Sequence, residues 1–161
     1  MKTYFAIAVM ALLVAGCAST PPPEAPPAKA PAVLDYGDHT SQTLTTNAWL
    51  ALEDGNYPHA VKYAEKCAEL YEAEARQMQA SLSKKAPYDK VHDYWALNDV
   101  GTSYFIKGEA LSRSGKNKDA LAAYRKVYEE FSYAQAWDPK GWFWSPADAA
   151  YPKIQLLSED F

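Results

Sequence analysis

The strongest constraint on the fold is a three- and four-residue spacing of apolar side chains that runs through most of the chain beyond residue 40. Tyr57, Ala60, Val61, Ala64, Ala68, Tyr71, Ala75, Met78 and Leu82 repeat at that spacing with charged residues between them. On a helix this makes one continuous apolar stripe. Asn56 and Pro58 suit its start, and Ser83 to Pro87 stop it. A second stripe, Val91, Trp95, Leu97, Val100, Tyr104, Gly108 and Leu111, predicts a helix from about Asp89 to Ser114 with Gly115 at its C-terminal end. A third helix is predicted from Asn117 to Phe131 through Ala120, Leu121, Tyr124, Val127 and Tyr128, and a shorter one from Ser41 to Glu53 closes at Gly55. Ser145-Pro146-Ala147-Asp148 supplies an N-cap, a first-turn proline and an acid at the third helical position, opening a last helix through Ala150, Ile154 and Leu157. No alternating strand pattern competes, so the expected class is all-α, built from antiparallel helical hairpins.

The first forty residues follow different rules. Lys2 is a short positive start, and Phe5 to Val14 form an apolar run that ends in Ala15 and Gly16, as in a secretory signal peptide. The run is shorter than the roughly 20 residues that a permanent membrane helix needs. Val14-Ala15-Gly16-Cys17 resembles the lipobox of bacterial lipoproteins. That resemblance implies removal of residues 1–16, acylation of Cys17 and attachment to a membrane through covalent lipid; Ala18 after the cysteine implies the outer membrane, facing the periplasm. Residues 17–39 read as a lipidated cysteine and tether, with Pro21, Pro22, Pro23, Pro26, Pro27 and Pro31 set among alanines. Proline fixes φ and removes backbone donors, which favours extended polyproline II over a packed element.

Residues 40–161 remain for one domain, enough to bury a core of its own. The formal charge of −4 is spread as alternating acids and bases without a basic block, which argues against a nucleic-acid partner and against electrostatic attachment to anionic lipid. With Cys17 lipidated, Cys67 has no partner for an intramolecular disulfide, and its place in an apolar stripe predicts a buried small hydrophobe.

Gly55-Asn56-Tyr57 and Gly115-Lys116-Asn117 are equivalent hinges, each followed by an alanine five residues after the glycine, Ala60 and Ala120. Here the sequence is similar to tetratricopeptide repeats. Tyr104, Gly108, Leu111, Gly115, Ala120, Tyr124 and Val127 occupy the aromatic, small and apolar positions of that family in one unit, and Ala48, Gly55, Tyr57, Ala60 and Cys67 do so in a less complete first unit. Both units lack the closing proline, and the two glycines stand 60 residues apart, beyond the family's period of about 34. The resemblance implies a short solenoid capped by the C-terminal helix. It also implies a groove for partner peptides lined by the first helix of each pair, at Thr45, Trp49 and Leu52 in one unit and Phe105, Glu109 and Ser112 in the other.

The segment Trp137-Asp138-Pro139-Lys140-Gly141-Trp142-Phe143-Trp144 places three tryptophans in eight residues around a type I turn. Trp137, Trp142 and Trp144 can plug the open end of the helical stack in place of a missing repeat, with Trp142 and Trp144 lying against the hairpin from Tyr104 to Phe131. Alternatively, they can offer flat apolar faces to a sugar or a peptide. Catalytic signals are weak: His39, His59 and His92 have no metal-ligand spacing, and there is no serine elbow or phosphate loop. The expectation is a non-catalytic adaptor that binds a protein or peptide in the cell envelope, with no cofactor and no metal. A glycan- or peptidoglycan-binding lipoprotein is the alternative, and a glycan-cleaving enzyme the third reading.

Overall fold

The computed structural model describes residues 34–159. The expected signal, Cys17 and all of the tether before Leu34 lie outside these residues. The fold is all-α apart from one short hairpin of strands. Helix α1 spans Ser41–Glu53, its N-cap Thr40 accepting from the Thr43 backbone N–H, and α2 spans Tyr57–Ser81 behind an Asn56 cap. Between them Gly55 takes φ of 73°. The Asn56 N–H reaches back to the Ala51 carbonyl at 2.8 Å, and that of Gly55 to Leu52 at 3.2 Å. These are the two bonds of a Schellman stop, which needs a left-handed residue and hence favours glycine. The same pair of bonds recurs at Gly115 (φ 74°), where α3 (Trp95–Arg113) hands over to α4 (Asn117–Glu130). Helix α5, Pro146–Ser158, closes the chain behind its Ser145 cap.

Small residues set the helix spacing. Ala48, Ala60, Ala64 and Ala110 are buried with Leu52 and Ile106 where α1, α2 and α3 meet. A Cβ on Gly108 would stand 2.6 Å from the Tyr124 ring, and one on Gly101 only 2.5 Å from the Ala134 Cβ, so both glycines permit contacts that alanine would obstruct. Helix α5 covers the second hairpin through Ala147, Ala150, Ile154 and Leu157. Its Lys153 reaches Glu109 on α3 at 2.7 Å. Glu72, Arg76, Lys126 and Glu130 join α2 to α4 in one ion-pair network.

Three expectations need correction. The helix predicted from Asp89 begins as a 3₁₀ helix, Tyr88–Tyr94, and becomes α-helical only at Trp95. At about 3.0 residues per turn, four steps carry a side chain ~120° round the axis rather than ~40°. Val91 therefore stays buried while Trp95, expected inward, is 40% exposed. Second, the segment with three tryptophans contains strands: β1 (Ala136–Asp138) pairs antiparallel with β2 (Trp142–Trp144), Trp137 opposite Phe143. The expected turn lies between them, with the Gly141 N–H donating to the Asp138 carbonyl at 2.9 Å. Third, residues 34–39, read as the end of the tether, pack on α2. Tyr63 donates to the Asp35 carbonyl at 2.9 Å, and Tyr71 to that of His39 at 2.8 Å.

Candidate functional site

The arrangement of α1, α3 and the β-hairpin leaves an open cleft of about 680 Å³. Helical spacing supplies two walls: Ser41, Thr45 and Trp49 are four residues apart along α1, while Trp95, Asn98, Asp99 and Thr102 recur at three- and four-residue steps along α3. The hairpin adds Trp137 and Phe143, a cross-strand pair and therefore on one face. Their rings meet at 5.1 Å, and Phe143 also meets Tyr88 at 5.2 Å and His92 at 5.4 Å. Trp144, next along β2, faces the other way and packs edge-on against Phe105 at 5.3 Å and Trp49 at 6.2 Å. Aromatic contacts thus fix the hairpin to both the 3₁₀ segment and α1.

Several polar groups in the cleft are engaged with the fold. The Asn98 amide donates to the Val91 carbonyl at 2.7 Å and accepts from the Gln135 N–H at 2.9 Å, which ties α3 to the approach to β1. Thr102 donates to the Asn98 carbonyl, and the Thr45 hydroxyl is shared with Ser103 at 3.1 Å. Asp99 is different. One carboxylate oxygen, Oδ2, accepts from the Ser41 hydroxyl at 2.5 Å. Burial raises the carboxyl's pKa above the ordinary aspartate value, and the Ser41 bond offsets only part of that rise.

The structure divides the six expected groove residues. Thr45 and Trp49 line the cleft, and Phe105 stands behind it as the packing partner of Trp144. Leu52 belongs to the core instead, 2% exposed among the small residues of α1, α2 and α3. Glu109 is also buried, accepting from the Tyr124 hydroxyl at 2.7 Å and pairing with Lys153 and Arg113, so it is a structural junction and not part of a groove. Ser112 is half-buried near the end of α3, outside the cleft. The three loop tryptophans also separate: Trp144 is packed, Trp137 lines the cleft while 48% exposed, and Trp142 is 48% exposed beneath the Lys140 ammonium at 5.8 Å. The expectation that Trp142 lies against the second hairpin fails, because alternation along β2 turns it and Trp144 to the same face but places Trp142 opposite Asp138, nearer the turn.

Sequence reasoning overlooked Asp99, Trp95 and His92 as neighbours. The available signal was the polar pair Asn98-Asp99 interrupting the apolar stripe between Leu97 and Val100. Cys67 is buried. Its thiol, pushed up to about 11 by burial, is unsuited to nucleophilic chemistry. Among the described residues no three His, Cys, Asp or Glu side chains gather as a metal site, and no helix is long and apolar enough to cross a membrane. No protein-family model matches the chain, and no curated protein or solved structure is significantly similar to it.

Proposed function

We propose that the chain is a lipid-tethered, non-catalytic adaptor whose cleft holds an extended segment of a partner protein at the periplasmic face of the outer membrane. The observation that carries this reading is the composition of the cleft. It has rings on three separate elements, Trp49, Trp95 and Trp137 among them, set beside polar side chains such as Gln42 and Thr46 that can meet a peptide backbone. Aromatic walls suit the alternating side chains of an extended peptide. The tether reading rests on Lys2, the apolar run and Val14-Ala15-Gly16-Cys17. The helix pairs with matching Schellman stops support kinship with tetratricopeptide modules, in which the corresponding groove receives peptides.

Photo-crosslinking in the native envelope tests the proposal. A benzophenone side chain at Thr46, on the cleft rim, is expected to yield a discrete protein adduct that is absent when the group stands on α5 at Gln155. Equal labelling at both positions would refute the groove. A second reading has one specific observation behind it: Trp142 presents a half-exposed indole outside the cleft, a surface on which a glycan ring can stack. Loss of peptidoglycan binding in Trp142→Ala, with protein cross-linking intact, would assign the glycan role to that surface.

A further inference from the structure

The chain gives its half-buried helix carboxylates a cation, with one exception in the cleft. Glu72 meets Arg76 and Lys126, Glu109 meets Lys153 and Arg113, and Glu130 meets Arg76 and Lys126. Asp99 meets no cation among the described residues. Ser41 satisfies Oδ2, and among the described residues no donor reaches Oδ1. The carboxylate is half-buried and lacks the cation that its counterparts receive, so a positive partner would offset part of the cost of its withdrawal from water. Trp49, Tyr71, Trp95 and Trp137 line the same cleft, Trp95 one turn before Asp99 on α3. Tyr71 is oriented by its bond to the His39 carbonyl and meets Trp95 at 5.5 Å.

We propose that Asp99 receives a lysine or arginine side chain of the segment held in the cleft, with the indoles of Trp49, Trp95 and Trp137 packed round its stem and cationic head. The inference rests on the peptide-binding reading and specifies the partner's chemistry. A basic side chain matches both halves of the site, since its methylenes cover apolar rings while its head pairs with the carboxylate and the ring faces. The fold contains the same combination internally. Lys126 sits 5.6 Å from the Tyr104 ring centroid and 3.1 Å from the Glu72 carboxylate. Asp99 and the rings that line its cleft supply the acceptor half of such an arrangement.

Two small probes test this on the full chain: acetyl-lysine methylamide and its neutral counterpart acetyl-norleucine methylamide, followed through the indole N–H resonances. The lysine compound is expected to shift Trp49, Trp95 and Trp137 in a saturable way, and norleucine to do so far more weakly. Asp99→Asn keeps an oxygen for Ser41 and is expected to weaken lysine binding roughly tenfold or more, because a charge-assisted bond is lost. Its indole spectrum without ligand should remain that of a folded chain. Equal binding of the two probes, or undiminished lysine binding by Asp99→Asn, would overturn the proposal. If Asp99→Asn still forms the Thr46 protein adduct at full yield, the cationic contact is refuted while the peptide groove stands; if the parent chain forms no such adduct, the groove itself fails.

Discussion

Gly108→Ala is the most informative test of the helix packing, because two opposing effects can be sized. An alanine in mid-helix gains about 0.8 to 1.0 kcal/mol over glycine from propensity. Against this, the new Cβ would stand 2.6 Å from two ring atoms of Tyr124 and 2.9 Å from a third. Tyr124 is fully buried, and its hydroxyl donates to Glu109 at 2.7 Å, so the ring cannot move without straining both. Overpacking costs about 1 to 3 kcal/mol. Weakening a hydrogen bond to a charged acceptor adds about 1.5 to 3 kcal/mol. The net expectation is a loss of about 2 to 4 kcal/mol, or roughly 6 to 15 °C in thermal midpoint for a domain of this size. Urea unfolding followed by far-ultraviolet circular dichroism measures it. On a Tyr124→Leu background, where the ring is gone, the same substitution should cost less than about 1 kcal/mol. Gly115→Ala, with nothing within 4 Å but φ at 74°, should cost about 1 kcal/mol on either background through backbone strain alone. Additivity of Gly108→Ala and Tyr124→Leu to within about 0.5 kcal/mol would refute the close approach.

Glu109→Ala should destabilise by about 2 to 3 kcal/mol, since it removes the acceptor of Tyr124 and the partner of Lys153. Burial raises the Glu109 pKa, but its bonds to Lys153, Tyr124 and Arg113 outweigh that and leave it below the ordinary glutamate value. Its stabilisation is therefore complete above the unfolded-chain pKa and lost as pH falls through the folded one. The difference in midpoint between parent and Glu109→Ala should shrink across that acidic window and stay flat near neutrality; a gap that widens on acidification would be the wrong sign. Trp144→Ala should cost about 2 to 3 kcal/mol by opening the contact with Trp49 and Phe105, whereas Trp142→Ala should change stability by no more than about 0.5 kcal/mol. Equal effects at both positions would contradict the placement of Trp144 against Trp49 and Phe105 and of Trp142 in the open beside the turn. Cys17→Ser should move the protein from the membrane to the soluble fraction, and its persistence in membranes stripped of protein partners would count against the lipid tether.

The helices were legible because their apolar periods and stop signals agree: Asn56-Tyr57-Pro58 opens α2, and Gly55 and Gly115 end α1 and α3. The 3₁₀ start at Tyr88 was not, since Val91 and Trp95 fit an α-helical stripe equally well and only tertiary contacts decide the winding. Strands of three residues, β1 and β2, are too short for alternation to register. Within the cleft, Trp49 and Thr45 could be placed by their helix register, but Asp99 could not. A polar residue beside an apolar stripe normally faces water, and its withdrawal from solvent depends on Ser41, 58 positions earlier, crossing over it. Glu109 misled for the converse reason: the register that suggested a groove said nothing of the α5 lysine that covers it.

The five tryptophans report on the cleft and its surroundings separately, because Trp49, Trp95 and Trp137 line it whereas Trp142 and Trp144 do not. The decisive measurement is a titration of isotope-labelled full chain with the partner peptide recovered from the Thr46 cross-link, followed at each assigned indole N–H. Saturable shifts at Trp49, Trp95 and Trp137, with Trp142 unmoved, are expected of a peptide held between α1, α3 and the β-hairpin. Shifts confined to Trp142, or none on any cleft indole at saturating peptide, would contradict the assignment of this cleft as the binding site.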